Sequence, residues 1–103
     1  MSAPIAVSIP HRLGKAEALR RLKNGVGTVK SHVQGILSFE QEVWVDDTLE
    51  FQLRGLGQTA SGRIQVMEER VQIEVVLPWL LQKFAERVLP TLKKETTLLL
   101  EKK

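Results

Sequence analysis

Residues 48–77 read TLEFQLRGLGQTASGRIQVMEERVQIEVVL, and the alternation within them decides the fold. Leu49, Phe51 and Leu53 share one parity, as do Ala60, Gly62, Ile64 and Val66, and then Val71, Ile73 and Val75. Successive strand side chains point to opposite faces, so each run presents one apolar face. Pairing Leu53 with Ala60 and Val66 with Val71 keeps the three sets on one side of an antiparallel meander. The turns then fall at Leu56-Gly57 and at Glu68-Glu69, the second as a four-residue type I loop. The predicted strands cover 48–54, 58–67 and 70–77.

A further strand over about 39–45 precedes them, and its register has two solutions. A two-residue turn at Asp46-Asp47 pairs Trp44 with Leu49 and puts the tryptophan in the core. A three-residue turn buries Val43 and Val45 instead. The first is favoured because it gives every hairpin the same parity, although it turns Glu40 and Glu42 inward, which is tolerable only on an edge strand.

Outward from the meander, Ile5, Val7 and Ile9 alternate in a first strand that ends at Pro10. Leu19, Leu22, Val26, Val29, Val33 and Ile36 then recur at spacings of three and four, the pattern of an amphipathic helix. Gly25 and Gly27 each cost such a helix about 1 kcal/mol against alanine, so it is expected to bend or loosen near its middle. Downstream, Leu77-Pro78 opens a second helix, with Leu77, Leu81, Phe84, Val88, Leu92 and Leu99 as its core stripe and a kink expected at Pro90. The order β-α-β-β-β-β-α describes a two-layer α+β sandwich, a reduced helix-grip-like arrangement. Its curved antiparallel sheet carries both helices on one face, with the first strand beside the last. The 103 residues fit a single domain spanning 1–103.

Composition narrows the chemistry. The apolar fraction of 43% suffices for a core, and cysteine is absent, which excludes disulfides and thiolate sites. The N-terminal stretch is broken by Pro4, Ser8 and Pro10 and is not expected to be a signal peptide. No run approaches the roughly 20 apolar residues of a transmembrane segment, and a cytoplasmic location is expected. The net charge of +3 divides into basic ends and an acidic centre between residues 38 and 77. That asymmetry suits an anionic partner, but it is read first as helices and sheet solvating their own surfaces. Nucleic acid is not an expected partner, because Arg20, Arg21, Lys23 and Lys30 spread around the helix and the sheet lacks exposed stacking aromatics.

No catalytic, metal or cofactor site is expected. Ser31 and His32 are adjacent on a helix and diverge, so they cannot form a nucleophile–base pair, and His11 lies apart. Asp46 and Asp47 read as turn formers that lack the further oxygen ligands of a cation site. Gly55-Leu56-Gly57 lies between two strands and so does not make a phosphate loop. On the second helix, Leu80 and Leu98 widen the apolar arc on one flank, and Leu89 and Leu100 on the other, to roughly 200° against the 100° or so of one packed face. Trp79, Leu80, Leu98 and Leu100 are therefore candidate partner contacts, for a second copy in a homodimer or for another surface.

Several stretches together carry a family likeness: His11-Arg-Leu-Gly14 with Ala16 and Arg20; Trp44-Val-Asp-Asp-Thr-Leu-Glu-Phe51; Gly62-Arg-Ile-Gln-Val66; and Val71-Gln-Ile73 leading to Leu77-Pro-Trp-Leu-Leu81 with Phe84. In this order, over about residues 7–100, the chain resembles the polyhydroxyalkanoic acid system proteins, small bacterial proteins encoded beside genes for storage-polyester granules. The chain departs from the family at Asp46, where glycine is usual, and at Gly25, Gly27 and Pro90. The resemblance implies a non-enzymatic accessory role in polyhydroxyalkanoate metabolism, with the granule surface or granule proteins as partners, and it brings no catalytic residue. The alternative is a small module binding an acyl or hydroxyacyl group in space left by Ala60 and Gly62.

Overall fold

In the chain's computed structural model, which describes residues 4–101, β1 (Pro4–Pro10) leads into α1 (Lys15–Val33), followed by β2 (Ser38–Val45), β3 (Thr48–Gly55), β4 (Gln58–Val66) and β5 (Arg70–Val76). A 3₁₀ helix (Trp79–Phe84) and α2 (Ala85–Glu101) close the chain. The five strands form one antiparallel sheet in the order β1-β5-β4-β3-β2. The predicted registers hold: Leu53 opposes Ala60, Val66 opposes Val71, and Trp44 opposes Leu49 across the two-residue Asp46-Asp47 turn. Leu49, Phe51, Leu53, Ala60, Ile64, Val66, Val71, Ile73 and Val75 are buried beneath the two helices, while Glu50, Gln52, Arg54, Ser61 and Arg63 on the opposite face stay in water.

A bulge in β2 corrects the expectation for Glu40, while Glu42 does turn to the helix face, opposite Phe51. Phe39 pairs with Leu53 and Glu42 with Phe51, so the extra residue between them shifts the parity of the strand. Phe39 therefore takes a core position that simple alternation denied it. Glu40 is exposed, and Glu42 lies 3.5 Å from Lys30 of α1. Trp44 is half-buried rather than enclosed, with the Lys23 ammonium 5.4 Å from its ring.

The helices depart from expectation in three places. First, α1 runs unbroken through Gly25 and Gly27, and a side chain at Gly25 would collide with Leu99 of α2. The glycine lets the two helices approach closely. Second, the second helical segment begins as a 3₁₀ helix and becomes α at Ala85, and α2 then continues through Pro90. Pro90 is exposed, so water can serve the Glu86 carbonyl that its missing N–H leaves free. Third, Leu100 is only 5% exposed and belongs to the core, so it is withdrawn as a contact residue. The buried stripe of α2 keeps the expected Val88 and Leu92 and then runs through Glu95, Thr96 and Leu100 in place of Leu99.

Thr96 is fully buried, and its hydroxyl has no hydrogen-bond partner among the described residues. An unsatisfied buried polar atom costs about 1–3 kcal/mol, whereas an apolar isostere does not. Thr96→Val is accordingly expected to stabilise the fold by about 1–2 kcal/mol. In a thermal melt this would raise the midpoint by about 4–8 °C per kcal/mol. A lower midpoint would mean that the hydroxyl is bonded in solution.

Candidate docking surface

His11, Ser31 and His32 each contact backbone or side-chain atoms of the fold. The His11 Nε2 lies 3.0 Å from the Met67 carbonyl, and its Nδ1 accepts from the Leu13 N–H at 3.2 Å, so the ring ties the start of α1 to the β4–β5 turn. Ser31 donates to the Gly27 carbonyl at 3.0 Å. His32 contacts the Thr28 carbonyl at 2.8 Å and Glu95 of α2 at 3.2 Å. Among the described residues no group of three or more His, Asp or Glu side chains is placed to hold a metal. Asp47 pairs with Lys15 and also accepts from Thr48, which holds its carboxyl below the usual range and raises the lysine.

The basic character of α1 is largely neutralised within the fold. Glu17 accepts from Arg20 and Arg21, and these two guanidinium groups lower its carboxyl to about 2. Lys30 meets Glu42.

The space expected above Ala60 and Gly62 is filled. The Phe51 ring lies over Gly62, where an added Cβ would be 2.5 Å from Cζ, and it stacks on Phe39 with centroids 5.0 Å apart. This explains the glycine as a seat for an aromatic ring from the neighbouring strand.

The unusual surface is one end of the sheet. The β4–β5 ladder ends where Ser61 opposes Val76, and the 3₁₀ helix that starts three residues later at Trp79 packs against β4, with its Leu81 near Gly55 beside the Leu56-Gly57 turn. Leu37, from the connection after α1, and Leu81 both reach the backbone of Gly55, so three chain segments converge there. Trp79 is 74% exposed and Leu56 is 55% exposed, while Leu80 and Ile36 in the same segments are half-buried. Residues 34–38, 54–61 and 76–84 build this end, and their only charges are Arg54 and Lys83. The opposite end carries Glu17, Asp46, Asp47, Glu68 and Glu69 around the other turns. The three segments thus hold no acid, whereas five acids surround the turns at the other end; Val43 and Val45 on the edge strand are exposed near those turns as well.

Leu56 was invisible as a contact residue in the strand pattern. Its φ of 52°, beside 74° at Gly57, makes a turn with both central residues left-handed. Asparagine or glycine occupies that position at little cost, whereas a residue such as leucine costs roughly 1–2 kcal/mol. The signal available in the sequence was a leucine directly before the glycine of a two-residue hairpin.

Of the four candidates named from sequence, the fold brings Trp79 and Leu80 together at this end. Leu98, 51% exposed, sits about 20 Å further along α2, in a surface groove of about 520 Å³ lined by Thr28, Glu95, Leu99 and Glu101. Leu100 is in the core.

The fold is a small α+β sandwich whose histidines make structural contacts and which exposes a tryptophan and a leucine at one end. Residues 5–100 match the family model of the polyhydroxyalkanoic acid system proteins of the granule region, and the chain belongs to that family. No curated protein matches the chain. No helix among the described residues is long and apolar enough to cross a membrane.

Proposed function

We propose that this chain is a non-enzymatic accessory protein of polyhydroxyalkanoate metabolism that works in the cytoplasm at the storage granule. Family membership supplies the metabolic setting. The observation that supports granule association is the pair of large exposed side chains, Trp79 and Leu56, in segments that hold no acid at one end of the sheet, since apolar groups clustered on a surface mark an interaction site. The non-enzymatic part is supported by the separate partners of His11 (the Met67 carbonyl and Leu13 N–H), Ser31 (the Gly27 carbonyl) and His32 (the Thr28 carbonyl and Glu95), no two of which share a partner.

The test is fractionation. Full-length tagged protein, expressed in a polyester-accumulating bacterium, is expected to migrate with granules on a density gradient. Purified protein is expected to leave hydroxyacyl-CoA and short polyester substrates unchanged. Recovery only in the soluble fraction would refute the granule role, and turnover lost in His11→Ala or His32→Ala would refute the non-enzymatic one.

A further inference from the structure

We infer that the end formed by the Leu56-Gly57 turn and the start of the 3₁₀ helix is the docking face, and that it meets the uncharged polyester itself. This rests on the granule association proposed above and adds the face, the orientation and the chemistry of the surface.

A polyhydroxyalkanoate surface offers alkyl groups and ester carbonyls. It accepts hydrogen bonds, donates none and carries no charge along the chain. A carboxylate placed against it would lose its water and gain no donor, so acids should be missing from the contact. They are missing from residues 34–38, 54–61 and 76–84, in a molecule with five around the turns at its opposite end. What the end offers is complementary. Leu56 and Trp79 supply apolar bulk, and the Trp79 indole N–H, the Arg54 guanidinium, the Lys83 ammonium and the Gln58 amide supply donors.

Leu56 points to the same conclusion by a separate route. It occupies a left-handed turn position where asparagine would be more stable, and it exposes its side chain to water there. A residue that burdens both the turn and the surface is explained by a contact made elsewhere. Anionic lipid is the less suitable occupant, since its recognition takes clusters of about four to eight Lys/Arg and this end has two.

The test uses full-length protein, amorphous poly(3-hydroxybutyrate) particles, and vesicles of phosphatidylcholine with phosphatidylglycerol, each at low and high salt. Wild type should pellet with the particles at both salt levels, because an uncharged contact is not screened. The Leu56→Asn/Trp79→Ser double variant should bind them about 100-fold more weakly. Asparagine suits the turn and Trp79 is exposed, so the variant should keep its fold, checked by circular dichroism. Leu98→Ser, which removes an exposed leucine far from this end, should bind like wild type.

Equal binding by the double variant would overturn the inference, as would binding only to anionic vesicles with loss at high salt. Wild type that comigrates with native granules but ignores bare polymer would overturn it too, while leaving the granule role intact through granule proteins. Failure on native granules as well would remove both.

Discussion

Phe51→Ala is expected to destabilise the protein by about 3–5 kcal/mol, measured by urea unfolding followed through tryptophan emission. A domain of this size has about 5–15 kcal/mol in total, so much of it would go. The magnitude depends on how well the site can collapse after truncation, and here it collapses poorly. On one side the ring stacks on Phe39, itself fixed by the β2 bulge. On the other it lies over Gly62, which has no side chain to move into the gap.

The same geometry predicts a change of sign. In wild type, Gly62→Ala drives a methyl group into a packed ring and should cost about 1–3 kcal/mol. In the Phe51→Ala background that methyl group enters an empty space, and the substitution should stabilise. Equal effects in both backgrounds would show that the ring does not rest on the glycine.

Phe51 and Gly62 also show what could be read in the sequence and what could not. Parity over 48–77 was legible because each residue votes independently for a face, and one slip would have exposed every apolar side chain at once. The same parity led to the correct pairing of Trp44 with Leu49. It did not reveal the bulge between Phe39 and Glu42, since an inserted residue breaks the alternation from which the strand was inferred.

Gly25 and Gly62 were both read through what glycine lacks: helix propensity in one case, volume in the other. In the fold each is explained by what approaches it, Leu99 and Phe51 respectively. Such approaches join residues 74 and 11 positions away, so no local window contains them.

The candidate site was half legible for a related reason. Trp79 and Leu80 stood out as apolar residues off the helical stripe, but Leu56 was hidden in a turn. Its proximity to Trp79 depends on the β4–β5 register and on where the chain leaves the sheet. The 3₁₀ geometry was hidden as well. Leu81 and Phe84 are three residues apart, a spacing that lies on one face of either helix type.

That 3₁₀ turn is where the second large effect is expected. Leu81 is fully buried, its N–H donates to the Pro78 carbonyl at 2.8 Å, and its side chain reaches the backbone of Gly55 beside the Leu56 turn. Leu81→Ala should cost about 2–5 kcal/mol globally. It should also act locally, because a six-residue 3₁₀ helix has weak hydrogen bonds of its own and depends on this anchor. Amide exchange in Trp79–Phe84 and at Leu56-Gly57 is therefore expected to accelerate more than in β4 and β5, as the segment opens without the rest of the sheet. Polymer binding should fall with it, since Trp79 and Leu56 would no longer be held at one level. The Leu56→Asn/Trp79→Ser variant removes the same contact with the fold intact, so the two variants should weaken binding alike and separate cleanly in stability. Uniform acceleration across the sheet, with no excess at Trp79–Phe84, would mean that Leu81 supports the core as a whole and does not position the docking end.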